Sequence, residues 1–297
     1  MRAAECGFLL LSSHLGDPLR KPLSAPQLRN LALRVRELEK DADDRDLNLQ
    51  DLKRMGYAPE AAEHILTLLA QENLLQNYLK CGEMSGCIPI TRVSERYPLL
   101  LRKRLGLDSP GCLWVKGDVS LLQQPAVALV GSRDLREENR RYAREAGHQA
   151  ALQGYVLVSG NARGADRAAQ EACLEAGGQV ISVVADELYK QPQHENALYI
   201  SEDGFGEAFS TVRALSRNRI IHALGVKTFV AQSAAEKGGT WSGTVKNLRS
   251  GWSDVYAFSD GSEAMGLLEQ LGANLIGIKD LESFFDLQSA DQNLFDR

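Results

Sequence analysis

Apolar residues fall into two rhythms along this chain. Over residues 59–79, Ile65, Leu68, Leu69, Leu75 and Tyr78 recur at helical spacing, with Pro59 suited to a first turn. Leu31, Leu33, Val35 and Leu38 stand in an Arg/Glu/Leu-rich run that also suits a helix. Residues 1–88 show no convincing strand, so they read as a small helical module. The cluster DADDRD at 41–46 reads as a solvated linker.

Beyond Cys87 the rhythm changes. A stretch mixing prolines, short strands and one helix gives way to short, continuous apolar runs alternating with helical patterns. Strands are predicted over 126–131, 155–159, 179–185, 226–231 and 254–258. Helices are predicted near 137–153 and 164–176, a further one carries RNRIIHAL, and a short one precedes residue 254. Residues 186–210 read as a polar loop. Alternation of this kind implies right-handed crossovers and a parallel sheet, with ligands bound at the carboxyl ends of the strands. The predicted class is therefore α/β: a Rossmann-like, doubly wound, mostly parallel sheet over 89–297 with a short C-terminal tail, preceded by a helical N-terminal domain over 1–88.

Composition narrows the class without naming a function. The chain has 297 residues, 44% hydrophobic and 25% charged, as in a soluble globular protein. A net charge of −5 does not advertise a nucleic-acid binder, although a local basic groove can sit on an acidic body. Cys6, Cys81, Cys87, Cys112 and Cys173 form no CxxC pair, and the five histidines (His14, His64, His148, His194, His222) have no metal spacing, so neither metal nor cofactor is expected. The run Phe8–Leu11 is too short for a secretory signal, and no segment is long enough to span a membrane; a cytoplasmic protein is expected.

Four segments, three of them glycine-bearing, carry the candidate chemistry. Gly131-Ser132-Arg133 directly follows a strand; it reads as a phosphate cradle with a cationic arm, and equally well, taken alone, as an ordinary turn with a surface arginine. In Ser159-Gly160-Asn161-Ala162-Arg163-Gly164-Ala165-Asp166, two glycines bracket the turn so that backbone can approach a ligand, and Asp166 reads as a capping carboxylate that holds the loop. Arg217-Asn218-Arg219 offers two cations for an anion, or a solvated helix start. Gly238-Gly239-Thr240-Trp241 offers N–H and hydroxyl groups, with Trp241 either stacked on a base or, more commonly, buried. Helix N-termini and arginines are suited to phosphate, and the four segments together would line one rim of one sheet.

These residues carry a resemblance to a known family. Arg96-Tyr97-Pro98, Ser109-Pro110 with Leu113-Trp114-Val115-Lys116-Gly117, Ala128–Arg133, Ser159–Asp166, Arg217–Ile221, Lys237–Trp241 and Gly272–Ile276, in that order, resemble the DprA/Smf family of DNA-processing proteins from about residue 57 to 282. The resemblance implies a non-catalytic, homodimeric protein that binds single-stranded DNA and helps load a RecA-type recombinase, in DNA uptake, natural transformation or recombination. Carried over residue by residue, its nucleic-acid-binding set is Gly131, Ser132, Arg133, Ser159, Gly160, Arg163, Gly164, Arg217, Asn218, Arg219, Gly239 and Thr240, with no catalytic residue. The chain departs from the family at Phe258-Ser259-Asp260-Gly261, where VPG is usual, and over 186–210, where only Gln191–Asn196 echoes the family signature. The winged helix that many members carry after the sheet is expected to be absent. Two other readings stand beside this one. One is a nucleotide sensor or LOG-type nucleotide N-glycosidase of the same superfamily, against which Val245-Lys246-Asn247-Leu248 lacks the required glutamate. The other is a regulator in phage defence or a toxin–antitoxin pair.

Overall fold

The computed structural model describes residues 1–38 and 46–287; of the acidic cluster read as a linker, all but Asp46 lies outside the described residues. Five helices come first: α1 (Ala3–Ser12), α2 (Ala25–Arg36), α3 (Leu49–Arg54), α4 (Pro59–Leu69) and α5 (Glu72–Met84). Their starts follow local chemistry. Asn48 Oδ1 accepts the Gln50 and Asp51 N–H groups at the head of α3, and Pro59 opens α4 where no N–H is needed. Leu31, Leu52, Ala62, Ile65 and Leu68 form a core among α2, α3 and α4. Leu9, Leu10 and Leu75 of α1 and α5 pack instead against Trp114, Ala197 and Tyr199, so the helices share a second core with the edge of the sheet.

The remainder runs β1 (Ile88–Thr91), α6 (Leu99–Leu105), β2 (Cys112–Gly117), β3 (Ala126–Val130), α7 (Glu137–Leu152), β4 (Val156–Ser159), α8 (Ala165–Glu175), β5 (Val180–Val183), β6 (Ala197–Ser201), α9 (Thr211–Ser216), α10 (Asn218–Leu224), β7 (Lys227–Val230), α11 (Gly238–Ser250), β8 (Asp254–Phe258), α12 (Glu263–Gln270) and β9 (Asn274–Ile276). One nine-stranded sheet results, ordered β1-β2-β6-β5-β4-β3-β7-β8-β9. The run from β6 to β9 is parallel, while β1 and β2 pair antiparallel at one edge. The α/β, doubly wound, mostly parallel class is the one expected from the alternation of strands and helices.

Alternate strand residues feed two cores. Ala126, Ala128, Val130, Val156, Val158, Ile181 and Val183 meet Ile220, Ile221 and Leu224 of α10 on one face. Val127, Leu129, Leu157, Phe229 and Tyr256 meet Tyr142, Ala146, Ala150 and Ala169 of α7 and α8 on the other. Three differences from the sequence reading stand out. Residues 197–201 form β6 inside the segment read as a loop. A separate short helix, α9, ends at Arg217 just before the helix that carries RNRIIHAL, and the helix before residue 254 is thirteen residues long.

The strand order reverses at β3. From it the chain winds outward through β4, β5 and β6, and β7, β8 and β9 are added on the opposite side. Crossovers leave the carboxyl ends of β3 and β7 in opposite directions, which opens a crevice between them.

The α7–α8 contact yields a stability prediction. Alanine ordinarily exceeds glycine in a helix by about 1 kcal/mol. A Cβ on Gly147 of α7 would overlap the backbone carbonyl of Ala169, whereas one on Gly266 of α12 would meet nothing within 4 Å. Gly147→Ala should therefore lower stability by about 1–3 kcal/mol, the usual cost of overpacking, and Gly266→Ala should raise it by up to about 1 kcal/mol. Opposite shifts in thermal midpoint are the expected result; a rise for Gly147→Ala would show that the two helices can part without cost.

Candidate nucleic-acid interface

Three segments knit together at the crevice. After β3, Ser132 N–H donates to the Gln232 carbonyl at 2.9 Å, tying the first loop to the end of β7. Gly164 heads α8 with φ +92°, and a Cβ there would overlap the Ser132 and Arg133 carbonyls. The Ala165 N–H donates to the Ser132 carbonyl at 3.1 Å, so the loops after β3 and β4 lie directly against each other. Gly131 has the same function: its missing Cβ would overlap that of Ala165.

The third segment is Arg217, which stands between two helices rather than on a strand end. It is buried, and its Nη2 donates to the Gly160 carbonyl at 3.0 Å while Nη1 donates to Asn218 Oδ1 at 2.9 Å. A Cβ on Gly160 would overlap this guanidinium. Asp166 Oδ2 lies 3.9 Å from Arg217 Nη2 and accepts the N–H groups of Gly160 (3.1 Å) and Ala162 (3.2 Å). Burial pushes the Asp166 carboxyl up, against the lowering pull of Arg217 and the two N–H groups. Burial pushes Arg217 down, with Asp166 opposing and Arg133 adding to the shift. A buried cation and a buried anion thus fix the shape of the loop after β4.

Two contiguous clefts flank Arg217. The larger, about 590 Å³, lies over the ends of β3 and β7 and is lined by Gly131, Ser132, Arg133, Arg217, Asn218, Gly239 and Thr240. The smaller, about 320 Å³, is lined by Arg133, Gly160, Arg163, Phe209 and Arg217. Arg133, Ala162, Ala214 and Arg217 border both. Arg133 is exposed and faces no carboxylate within ion-pairing distance among the described residues; its guanidinium stands 6.0 Å from the centre of the Phe209 ring. Arg163 is exposed and pairs with exposed Asp134 at 2.8 Å.

Ser159, Gly164 and Arg219 do not reach these clefts. Ser159 is fully buried, its hydroxyl held by Gln170 Nε2 at 2.5 Å. Gly164 sits beneath the paired loops. Arg219 turns to the other side of α10, where Nη1 and Nη2 meet both oxygens of Glu202 at 2.8 and 2.5 Å. It borders a separate opening of about 570 Å³ beside Trp252 and Lys246. Trp241 is half-buried against the core of its face.

Sequence reasoning missed three residues at the clefts. Phe209, 54% exposed in the segment before α9, is an aromatic face beside the arginines. Lys237 precedes α11 and lines the larger cleft. His222 of α10 lines it as well and is 1% exposed; burial first, and Arg217 second, push its imidazole down to about 3, so it is neutral. Its adjacency to RNRII was the only signal available. Among the described residues, no group of three or more His, Cys, Asp or Glu is disposed to hold a metal, and no helix is long and apolar enough to cross a membrane.

The departure at Phe258–Gly261 also has a local account. Asp260 accepts from Asn139 Nδ2 at 2.7 Å and from Arg136, tying the end of β8 to the start of α7.

A doubly wound sheet with glycine-knit, arginine-bearing loops at its reversal point defines a protein of the Rossmann-like class. The chain belongs to the DNA recombination-mediator protein A family, which it matches over residues 89–264, more than half its length. It is 33% identical over 145 residues to the DNA processing protein DprA of Streptococcus pneumoniae, covering 44% of this chain and 50% of that protein. It is 31% identical over 156 residues to protein Smf of Escherichia coli, covering 49% and 41%. The chain thus matches half or less of the length of these curated relatives. The X-ray structure of DprA from Streptococcus pneumoniae superposes with a TM-score of 0.68 at 25% identity, covering 90% of this chain and 99% of that one. That of DNA processing protein A from Helicobacter pylori, solved for its single-stranded DNA binding mode, shares the fold with a TM-score of 0.55 at 22% identity, covering 71% and 96%.

His222 makes stability depend on pH. Its unfolded value near 6.5 falls to about 3 in the fold, so below pH ~6.5 the unfolded chain binds a proton that the folded chain refuses. The stability tied to neutral His222 is present above pH ~6.5 and is lost as pH falls toward 3, by up to about 1.4 kcal/mol per pH unit. Urea titrations between pH 7 and 4 should show a shallower loss in His222→Gln than in the wild type. Equal slopes would mean that the imidazole is hydrated or charged in the fold.

Proposed function

We propose that this protein binds single-stranded DNA along the carboxyl edge of its sheet, as a DNA-processing protein acting in recombination or DNA uptake. The observation that carries the reading is the meeting of Arg133, Arg163 and Arg217 with the Phe209 ring around one cleft. Phosphates would be met by the exposed arginines, while bases stack on the aromatic face, the combination that suits single strands irrespective of sequence. The single-stranded DNA bound by the Helicobacter pylori relative supports the same ligand here. The family name supports a RecA-type recombinase as partner. The reading extends to a homodimer in the cytoplasm, with residues 1–88 as a helical module on the Rossmann-like domain 89–297. Within it, Asp166 and Gly164 hold the loops, Ser159 supports the strand end, and Arg219 acts by pairing with Glu202 rather than with phosphate. Hydrolysis of nucleotides is the weaker reading. Asp166 is already engaged by two N–H groups and faces a buried arginine, and no acid stands at Val245–Leu248.

Titration with a fluorescent oligothymidine at several salt concentrations tests this. Arg133→Ala should weaken binding and flatten the log–log salt slope by about 0.7, the value for one phosphate contact on a single strand. Phe209→Ala should cost about 1–3 kcal/mol of binding with the slope unchanged, as expected for stacking. Arg219→Ala should lower the thermal midpoint, since Glu202 is left nearly buried and unpaired, and leave the slope alone. Unchanged affinity in both Arg133→Ala and Phe209→Ala would place the DNA elsewhere.

A further inference from the structure

The larger cleft contains polar atoms that strand binding alone does not use. The state of His222 follows from its neighbours. Its Nδ1 faces Asn247 Nδ2 at 3.3 Å and Thr228 Oγ1 at 3.4 Å. The Asn247 amide has one possible orientation, because its Oδ1 accepts the Ser253 backbone N–H at 3.0 Å and that group can only donate. The –NH2 end therefore faces Ser253 Oγ, at 3.0 Å, and the imidazole. An –NH2 group has only hydrogens to offer, so Nδ1 is the accepting nitrogen and Nε2 carries the proton. That Nε2–H is buried and has no partner among the described residues, on a side chain that lines the cleft. Arg217 Nε, on the same cleft, is a second buried donor without a partner.

A third set of donors comes from α11, whose first residues Gly238, Gly239 and Thr240 line the cleft. This thirteen-residue helix begins at Lys237, whose side chain makes no capping bond. The opening N–H groups carry the positive end of the helix dipole. The acceptors near them are engaged: Asn218 Oδ1 by Arg217, Asp166 by the loop N–H groups, and Asp134 by Arg163. The wall of the cleft thus holds donors on α10 and Arg217 that are closed to solvent in this structure, beside the first residues of α11, around a space of about 590 Å³, large enough for one nucleotide.

We infer that this cleft holds a terminal phosphomonoester, of a free nucleoside monophosphate or of a DNA strand end, against His222 Nε2–H, the α11 N-terminus and Arg217. A phosphodiester inside a strand has two non-bridging oxygens and one charge. A terminal phosphate has three such oxygens and close to two charges near pH 7, and so answers this number of donors better. A neutral imidazole donates without adding a charge that a buried site would have to compensate. Only the strand-end source rests on the strand-binding reading; the free nucleotide does not need it.

The test compares oligothymidines with 5′-phosphate, 3′-phosphate or hydroxyl ends, and free dTMP with thymidine, on the wild type, His222→Leu and His222→Gln. At least one phosphorylated ligand should bind about tenfold tighter than its hydroxyl counterpart, the size of one charge-assisted hydrogen bond. His222→Leu should erase the difference, and His222→Gln, which keeps an N–H, should retain part of it. On the wild type alone, the imidazole NMR signal of His222 should shift with dTMP or inorganic phosphate and not with thymidine, a readout that survives if the variants do not fold. If 5′-phosphate and 3′-phosphate ends differ, the tighter one identifies the strand source; a preference confined to dTMP identifies the free nucleotide. Equal binding of every phosphorylated and hydroxyl pair overturns the inference, as does a preference unchanged in His222→Leu. Strands that bind regardless of their ends would leave the strand-binding reading standing and this one fallen. Binding of dTMP over thymidine with no strand binding would do the reverse.

Discussion

The placement of one buried guanidinium governs the carboxyl edge of this sheet. Arg217 comes from the helical side of the chain, yet it ends on the backbone of the loop after β4 and beside Asp166. A buried charge without a counter-charge is costly, and so is a buried carboxylate, so each of these two groups needs the other in place. Asp166 spends its remaining capacity on the N–H groups of Gly160 and Ala162, which fixes the loop. That loop in turn lies on the Ser132 and Arg133 carbonyls through Gly164. The sheet, the first two crossover loops and α10 thus form one assembly, with the clefts as its outer surface.

Such locking sorts the arginines by the work left to them. Arg217 has both terminal nitrogens committed inside, with only Nε left without a partner among the described residues, and Arg219 is committed to Glu202. Arg163 would exchange the exposed Asp134 for a ligand, and an exposed pair contributes little, typically under about 1 kcal/mol, so the exchange is cheap. Arg133 has no ion-pair partner among the described residues and an aromatic ring beside it. A chain of net charge −5 can in this way present free positive charge at one edge, where low salt would favour capture of an anionic strand.

How far the sequence carries depends on what each signal measures. Alternating strands and helices report the layers, and the central strands were legible because they are continuous apolar runs with a glycine close to at least one end. β6 was not, although Ala197-Leu198-Tyr199-Ile200 is such a run, because polar residues on both sides mask a strand that short. The motif residues were legible as a set but not in their directions. Residues two apart on a helix point about 200° apart at 3.6 residues per turn, so Arg217 and Arg219 face opposite ways, and their spacing alone contained that conclusion. Ser159 was out of reach for a different reason: nothing local says that Gln170 waits beneath it. Phe209 lay in a stretch whose composition reads as loop, and only the fold brings it beside Arg133; Lys237 stood at the start of a motif segment, but its place on the cleft shows only in the fold.

Glycines in a phosphate-binding loop are usually explained by the ligand, whose approach a side chain would block. Here the three most motif-like glycines are explained by the protein. A Cβ on Gly131 would strike Ala165, one on Gly160 the Arg217 guanidinium, and one on Gly164 the neighbouring carbonyls. By contrast, Gly238 has nothing within 4 Å, and Gly239 has only Leu215 and Asn218 nearby. The most recognisable residues therefore assemble the edge, and the groups left open toward a ligand are the less recognisable ones: Arg133, Phe209, Lys237, the head of α11 and the neutral imidazole of His222. Relatives that share the first set can share a scaffold and still differ in what they hold, because the exposed members of the second set, Arg133, Phe209 and Lys237, can vary without disturbing the loops. Ligand preference in such a protein is thus written mainly in residues that packing does not require.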